Sequence, residues 1–374
     1  TVNSCYYNTH ILLKKEIMIR KPVTYYLSVL FVLLGFNLSA QNIIARIDTS
    51  YANIKKVEIS AGFCRVEIGA ISENGRVEFF GEISTDRKPN KITQSPYRFR
   101  HKVQGNLLKV WLEGKSRGSN LSESRLMFKV PPQTDIDVVS RSGKIYAFGL
   151  SGGYTNLKTH NGSIKAQYIN SKVVRFKSHS GDIKVENLNA EQVYFKSHSG
   201  YFKLTEAKAK KIEARNHMGG QRWTNIAAKL DAASHLSTIR VIKGKGEVRL
   251  KSHTGTLRIY NYVGLVNAQN YAGSIRLKNV HGKMNLQTNA GSIIGEGVLL
   301  VNQSSLQTAA GYIKLKLKNE LNKLDYDLRT GSGSVRIGEN KHGKKYVTRN
   351  GNSTFLKAMS RSGSLSFGKY EEEK

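Results

Sequence analysis

The sequence predicts an all-β protein: a single-stranded type of β-helix, or β-solenoid, with coils of 18–22 residues, preceded by an irregular β-rich cap. Three observations predict this fold. A glycine recurs about every nineteen residues through most of the chain, and apolar and polar residues alternate around it. Glycine is abundant (34 of 374 residues) and proline scarce (5), which suits many tight turns and few rigid kinks.

The repeat is aligned on one anchor glycine per unit, as in SHSGDIKV around Gly181 and NYAGSIRL around Gly273. Ser237 replaces the glycine in one unit, and SAGFCRVEI at Gly62 is read as an earlier, separated coil. Successive anchors lie 18 to 20 residues apart, widening to 22 and 30 near the C-terminus. This period matches one turn of a β-solenoid and is too short for a propeller blade or a helical pair. The anchors are Gly143, Gly162, Gly181, Gly200, Gly219, Ser237, Gly255, Gly273, Gly291, Gly311, Gly333 and Gly363.

Alternation with period two assigns the faces of each coil. Around Gly181, the side chains of Phe176, Ile183 and Val185 are predicted to point into the core. Lys184, between two of them, is predicted to point to solvent. A single coil cannot bury such a face, whereas coils stacked about 4.8 Å apart bury it continuously. We explain the anchor glycine by a tight corner that requires positive φ.

The N-terminal part of the chain is predicted to be a targeting region. Residues 1–17 show no pattern and are expected to lie outside the native protein. Residues 18–40 combine a basic start, the apolar run LSVLFVLLGF and a small-residue cleavage site, which is typical of a signal peptide cut after Ala40. The apolar run is about half of a membrane span, so a retained anchor is the lesser alternative. The other predicted segments are an irregular β-rich cap over 41–135, solenoid repeats over 136–368 and an acidic tail over 369–374.

Cleavage of this leader implies an exported protein that is periplasmic, outer-membrane-associated or extracellular. The chain has two cysteines, Cys5 and Cys64, and cleavage removes the first. No disulfide framework or cysteine metal site then remains. Cys64 is predicted to be a plain buried residue, with a reactive or intermolecular thiol as the alternative.

One passage carries a family resemblance. LMFKVPPQTDIDVVSRSGKIYA has a strand ending in Val-Pro, an alternating Asp-Ile-Asp-Val-Val and then Ser-Gly-Lys-Ile. It resembles the bacterial putative-adhesin family of uncharacterised exported β-repeat domains, and the later SHSGDIKV-type units fit the same family. The resemblance covers roughly Val57 to Phe367. It implies an exported β-solenoid and transfers no binding residue.

Basic residues outnumber acidic ones by 59 to 27, a formal net charge of +32, which favours anionic partners. Many of them recur at fixed positions relative to the anchors. They serve either solubility or, as a linear cationic strip, the binding of a linear polyanion through many salt-sensitive contacts. The lysine–arginine ladder, three residues after the anchors, is Lys165, Lys184, Lys203, Arg222, Arg240, Arg258 and Arg276, with Lys314 and Arg336 beyond a gap at Ile294. The second basic series, four residues before the anchors, is Lys158, Lys177, Lys196, Arg215 and Lys251.

A histidine also recurs, two residues before six successive anchors. It has three interpretations: a surface row inherited by duplication, a surface that gains charge at mildly acidic pH, and a site for a divalent transition metal. Against metal, the rows supply no recurring carboxylate or thiol. The histidine ladder is His160, His179, His198, His217, His235 and His253.

The sequence favours a non-enzymatic, adhesin-like binding protein that needs no cofactor. Carboxylates such as Asp182, Glu186 and Asp231 neither recur nor pair, and no nucleophile elbow, P-loop or zinc motif occurs. The expected partners are acidic polysaccharide or lipopolysaccharide. Nucleic acid is disfavoured by the export signal and by the lack of regular aromatic stacking partners along the basic strip. The alternatives are a structural envelope protein that docks another protein and, less favoured, a polysaccharide-active β-helix enzyme.

Overall fold

The computed structural model describes residues 42–72, 74–85, 97–114 and 121–372. The predicted signal peptide, the segment before it, Cys5 and the last two residues of the tail lie outside the described residues, so those predictions stay open. The described part consists almost entirely of β-strands, with one short 3-10 helix at Leu321–Lys323.

The strands are numbered in chain order. The first nine are β1 (Asn42–Tyr51), β2 (Lys56–Gly62), β3 (Arg65–Gly69), β4 (Val77–Thr85), β5 (Arg98–Gln104), β6 (Leu107–Glu113), β7 (Leu121–Lys129), β8 (Asp135–Ser140) and β9 (Ile145–Phe148). The next nine are β10 (Tyr154–Thr159), β11 (Ile164–Ser178), β12 (Ile183–Ser199), β13 (Phe202–Met218), β14 (Gln221–Ser234), β15 (Ile239–Thr254), β16 (Leu257–Ala272), β17 (Ile275–Gly282) and β18 (Met284–Ala290). The last nine are β19 (Ile293–Leu300), β20 (Gln303–Ala310), β21 (Ile313–Leu317), β22 (Asp325–Thr330), β23 (Val335–Ile337), β24 (Asn340–His342), β25 (Lys345–Thr348), β26 (Phe355–Ser362) and β27 (Leu365–Lys369).

Each coil pairs in parallel with its neighbours through two main segments, which are joined by a short middle segment such as residues 169–171. In the post-glycine sheet, the residues that follow each anchor pair with their counterparts one coil away, as Ile183 does with Ile164 and Phe202. In the pre-glycine sheet, the residues that precede each anchor do the same, as Phe195 does with Phe176. The predicted β-solenoid of stacked coils is therefore confirmed.

The bend after the post-glycine sheet is made by a residue with left-handed backbone six positions after the anchor, in the nine coils from Gly143 to Gly291. Asn187, Asn225 and Asn261 have φ of 56°, 56° and 54°, and Tyr168 has 55°. Asparagine tolerates this region better than most residues, and it occupies several of these sites. The position carries varied residue types, including Glu206, so its role is hidden in the sequence.

The anchor glycines are required by a backbone contact between coils. A Cβ atom built on Gly181 would overlap the carbonyl oxygen of Gly162, the anchor one coil earlier, and the same overlap recurs along the stack. Positive φ is not the common factor, because Gly273 has φ 141° whereas Gly181 is not in the left-handed region. The prediction of a positive-φ corner is therefore wrong as a general explanation. The close approach of two backbones favours glycine, which occupies every anchor except Ser237.

A buried polar row three residues before the anchors ties adjacent coils together. Thr288 Oγ1 donates a hydrogen bond to the carbonyl oxygen of Gly273 at 2.9 Å. Asn270 Nδ2 donates to the corresponding oxygen of Gly255 at 2.6 Å. Each such bond satisfies a buried carbonyl that would otherwise lack a side-chain partner at the corner. The buried polar row is Ser140, Thr159, Ser178, Ser197, Asn216, Ser234, Ser252, Asn270, Thr288, Thr308, Thr330 and Ser360.

The predicted alternation is confirmed in the core, where the inward positions are buried along the whole stack. Aromatic rings cluster in the middle of the stack: the ring centroid of Phe195 lies 5.6 Å from Phe202 and 5.2 Å from the fully buried Trp223. Gln221 also occupies an inward position. It accepts a hydrogen bond from Trp223 Nε1 at 3.2 Å and donates to Asn216 Oδ1 at 2.6 Å, which satisfies its buried amide.

Stacking order departs from chain order at both ends. The coil around Gly62 packs directly on the coil around Gly143 through β2–β8 and β3–β9, as predicted for an earlier coil, while β4 to β7 fold outside it. At the other end, the Gly363 coil stacks on the Gly311 coil, and the Gly333 coil lies outside the Gly363 coil. The wide anchor spacings near the C-terminus arise from this insertion.

Antiparallel strands finish both ends of the stack. At the N-terminal end, β4 pairs antiparallel with β1 and β7, and β5 pairs antiparallel with β6. At the C-terminal end, β25 and β24 pair antiparallel with β22 and β23. These strands cover the parallel edges, which would otherwise offer unpaired backbone groups to another chain.

The contact between coils can be tested with Gly181→Ala. Because the added methyl group meets backbone, we expect the free energy of unfolding to fall by at least roughly 1–3 kcal/mol. Gly368→Ala is the control, since a Cβ there meets nothing within 4 Å. Urea unfolding measures both, and an unchanged midpoint for Gly181→Ala would contradict the role given to the contact.

The buried polar row can be tested with Thr288→Val, which keeps the shape but removes the hydroxyl that bonds Gly273. We expect a loss of about 1 kcal/mol in the free energy of unfolding. Thr256→Val, at a half-buried outward position, serves as the matched control. Equal stability of the two variants would mean that the hydrogen bond contributes nothing measurable.

Candidate polyanion-binding surfaces

The lysine–arginine ladder lies on the outer face of the post-glycine sheet. Its members pair directly: Lys165 lies opposite Lys184, Lys184 opposite Lys203, and the register continues without a shift to Arg276. All seven side chains are exposed or half-buried. Ile294 follows Arg276 and ends the continuous run. Seven consecutive coils therefore place cation beside cation along the stack.

The described carboxylates of this face lie toward the two ends of the ladder, with Glu67 in register with Tyr146 at one end and Glu296 opposite Lys278 at the other. Asp182 lies 3.7 Å from the ammonium of Lys184, and Glu186 accepts a hydrogen bond from Gln167 at 2.7 Å. From Lys203 to Arg276, the outward positions on either side of the ladder hold no Asp or Glu. No described carboxylate forms an ion pair with any of the five ladder cations in this stretch. The basic residues that do form ion pairs lie elsewhere, apart from Lys184: Lys56, Arg65, Arg100, Lys109, Arg125, Lys129, Lys184, Lys210, Lys211, Arg215, Lys229, Arg249, Lys318, Lys323 and Arg329.

Two arginines in this stretch have a shielded donor. The Nε atoms of Arg240 and Arg258 are removed from solvent and have no hydrogen-bond partner among the described residues. An unsatisfied charged donor is costly. Each of these two guanidinium groups therefore carries one shielded N–H donor without a described partner.

At its N-terminal end, the ladder meets an aromatic cavity of about 550 Å³. Tyr146 lies in register with Lys165, one coil earlier. Phe80, Met127 and Phe148 line the same cavity. Sequence reasoning missed this cavity because its walls come from β1, β3, β4, β7, β9 and β11, which come together only in the tertiary structure.

The second basic series lies on the other sheet. Lys158, Lys177 and Lys196 pair in register on the outer face of the pre-glycine sheet, followed by Arg215. Ala233 then interrupts the series before Lys251. The two basic series therefore form separate surfaces, with Lys165 to Arg276 on the post-glycine sheet and Lys158 to Arg215 on the pre-glycine sheet.

The histidine ladder forms one continuous stack of rings. Neighbouring ring centroids lie 4.6 to 5.1 Å apart, with interplanar angles of 6° to 9°. Tyr271 extends the stack, with its ring 4.7 Å from His253 at 3°. All six histidines are exposed, so their ring edges face solvent while their faces cover one another. Sequence reasoning missed Tyr271 because only the identity of the histidines was followed.

This geometry bears on the metal interpretation of the ladder. Imidazole lone pairs lie in the ring plane, and parallel planes direct them side by side instead of toward a common point. Among the described residues, no group of three or more His, Cys, Asp or Glu side chains is placed to hold a metal ion. The stacked ladder therefore does not form a multidentate metal site in this arrangement.

The first four members of the second basic series and the first four of the histidine ladder together line one groove, with a volume of about 880 Å³. One residue, a member of the buried polar row, separates the cation from the imidazole in each coil. The guanidinium of Arg215 is paired with Asp231 at 3.1 Å. The lining described by the structure contains no Asp or Glu. Its cations are Arg141, Lys158, Lys177, Lys196 and Arg215, and its imidazoles are those of His160, His179, His198 and His217.

The most buried carboxylates have structural partners. Asp325 accepts hydrogen bonds from the backbone N–H groups of Asn350, Gly351 and Asn352 at 2.8 to 3.1 Å, and these bonds lower its pKa. They hold the loop between β25 and β26 against β22. The Asp325 carboxylate therefore has a structural role in holding this loop.

Cys64 is fully buried beneath the anchor coil of Gly143, which confirms the prediction of a plain buried residue. Burial raises the pKa of its thiol to about 12. The thiolate, which is the reactive form, is therefore scarce at neutral pH.

Stacked coils on two parallel sheets place the chain in the class of β-solenoid repeat proteins. The chain belongs to the Toastrack DUF4097 family, whose sequence profile matches residues 76–261 and 234–366. The family-level resemblance is thus confirmed, and no curated protein gives a significant match. No helix in the described part of the chain is both long and apolar enough to cross a membrane.

Three solved structures resemble this chain at low sequence identity. A putative adhesin from Parabacteroides merdae is 11% identical, with a TM-score of 0.28, over 73% of this chain and 91% of that one. A putative adhesin from Bacteroides fragilis is 12% identical, with a TM-score of 0.23, over 87% and 96%. A putative cell adhesion protein from Clostridium sporogenes is 9% identical, with a TM-score of 0.19, over 87% and 99%.

The burial of Cys64 leads to a reactivity test. Treated with a thiol-alkylating reagent at pH 8, the folded protein should leave Cys64 unmodified, because both burial and a raised pKa suppress the thiolate. The same treatment in urea should modify it completely. Mass spectrometry of the peptide that contains Cys64 distinguishes the two states, and rapid labelling of the folded protein would contradict the assignment.

Proposed function

We propose that this chain is an exported, adhesin-like binding protein without catalytic activity, which holds a linear anionic polymer along the lysine–arginine ladder. The proposal rests on the register of the ladder, in which seven consecutive coils place a cation directly opposite a cation without a shift. A linear polymer is the expected ligand because the cations are arranged in a line along the stack.

The repulsion within the ladder favours a ligand. Two unit charges about 4.8 Å apart repel by roughly 1 kcal/mol even in water, and each interior member has two such neighbours. Solubility alone requires only polar outward positions, and the neighbouring outward positions are often Thr or Ser. Like charges opposite one another destabilise a sheet. A bound polyanion removes this repulsion along the whole ladder at once.

A polymer suits the ladder better than a small ligand does. An exposed contact between opposite charges contributes only about 0.5 kcal/mol, so one or two contacts do not hold an anion. A chain that contacts five or more coils gains from linking these weak contacts. Its affinity falls with salt because bound counterions are released from the polymer.

The test is binding of the purified protein to acidic polysaccharide and to lipopolysaccharide across a salt series. The ladder variant carries Lys203, Arg222, Arg240 and Arg258 changed to Gln, and we expect it to bind roughly 30-fold more weakly at about 0.5 kcal/mol per contact. Its slope of log affinity against log salt should also decrease.

The matched control changes four exposed lysines away from both basic faces: Lys172, Lys208, Lys245 and Lys283, each to Gln. It lowers the net charge by the same amount as the ladder variant. Equal binding by the ladder variant and the control variant would mean that affinity depends on net charge and not on the position of the ladder. No binding to either polymer by the wild-type protein would overturn the proposal and favour a protein partner in the cell envelope.

A further inference from the structure

We infer that the groove lined by the second basic series and the histidine ladder binds an acidic polysaccharide with one carboxylate per sugar, a polyuronate, with one sugar per coil. The inference rests on the proposed function in that it keeps a linear polyanion as the ligand. It concerns a different face, because the groove belongs to the pre-glycine sheet and the lysine–arginine ladder to the post-glycine sheet.

The spacing of the groove matches a chain of sugars. Every coil from Lys158 to Arg215 presents one cation and one imidazole, and successive coils are in register. The imidazole rings repeat at 4.6 to 5.1 Å. This step is close to the length of one pyranose residue in an extended polysaccharide. A polymer with one carboxylate per sugar therefore carries one carboxylate for each coil that it passes along the groove.

The chemistry within each coil suits an acidic sugar. The cation and the imidazole lie two residues apart on one strand, which separates them by about 7 Å across the groove. Lysine offers only donors, which suits a carboxylate. An imidazole edge offers a donor and an acceptor when neutral, which suits a hydroxyl group that is itself both. Each coil thus pairs a recognition element for the acid with one for the sugar hydroxyls.

The continuous ring stack excludes nucleobases. Single-stranded nucleic acid is held by bases that stack on exposed aromatic faces. In the histidine ladder each interior ring is already covered on both faces by its neighbours, within 9° of parallel. Only the ring edges are available. The stack therefore cannot intercalate bases without being taken apart.

The charge of the groove supports the same ligand. Lys158, Lys177 and Lys196 are exposed and have no described carboxylate within ion-pair distance, unlike Arg215. Arg141 occupies the histidine position in the coil before His160, so the groove begins with a further cation. From Arg141 to His217 the groove spans four coil steps, or about 19 Å. That length accommodates four to five sugars.

Three variants test the inference with an oligogalacturonate long enough to span the groove. The groove variant changes Lys158, Lys177 and Lys196 to Gln, and we expect its affinity to fall roughly ten-fold through the loss of three exposed charge contacts. In the second variant, His179, His198 and His217 are changed to Phe. It keeps a ring stack, as Tyr271 shows that a six-membered ring fits, but removes the ring nitrogens.

The third variant changes the same histidines to Gln, which retains hydrogen-bonding groups without a ring. We expect the Phe variant to lose oligogalacturonate binding several-fold while polyphosphate binding is unchanged, because only the sugar hydroxyls need the ring nitrogens. The Gln variant should retain more of the oligogalacturonate affinity than the Phe variant does. Circular dichroism and thermal unfolding verify that each variant is folded.

The outcomes separate this inference from the proposed function. Loss of oligogalacturonate binding in the groove variant, with binding kept in the ladder variant of Lys203 to Arg258, supports the groove. The reverse result overturns the groove and supports the ladder. If the Phe variant binds oligogalacturonate as tightly as the wild-type protein does, and both proteins bind polyphosphate equally, the assignment of the sugar is overturned, whatever the ladder binds.

Discussion

The contact between successive anchor corners is the constraint on which the rest of the structure depends. A glycine of one coil lies against the carbonyl oxygen of the anchor before it, with no room for a Cβ, and a buried Ser, Thr or Asn bonds to that oxygen in most coils. Together these contacts set both the distance and the register between coils. The Ser237 coil lacks the anchor glycine and still stays in register, because the backbone pairing on both sides of it holds the alignment.

Fixed register makes each side chain the neighbour of its own counterpart. Inside, this produces columns of aliphatic and aromatic side chains, such as Phe176 beside Phe195 at 5.1 Å. Outside, it produces a column of stacked imidazoles and two columns of cations. The imidazole column is compatible with stacking, whereas the cation columns repel themselves. The same property makes them complementary to a ligand that also repeats, since a polymer with charges at a similar step can meet every coil in the same way.

The two basic surfaces are kept apart by the bend between the sheets. The left-handed residue at Asn187 and its counterparts turns the chain out of the post-glycine sheet in the nine coils from Gly143 to Gly291. The lysine–arginine ladder is an open strip that ends at an aromatic cavity, whereas the histidine ladder and its lysines form a groove. Antiparallel strands cover the parallel edges at both ends of the stack, so the lateral faces carry the repeated columns of side chains.

The sequence by itself determined the fold class, the inward and outward faces and the members of each ladder, because a β-solenoid converts a repeat along the chain directly into a column in space. It also located Cys64 in the core. It did not reveal why the anchors are glycine, because the contacting carbonyl belongs to another coil. It did not reveal the positive-φ bend, which tolerates several residue types. Only the tertiary structure decided that the Gly363 coil stacks between the Gly311 and Gly333 coils. It also decided that Lys177 and His179 share a groove while Lys184 lies on another sheet. Both features depend on contacts between segments that are distant in the chain.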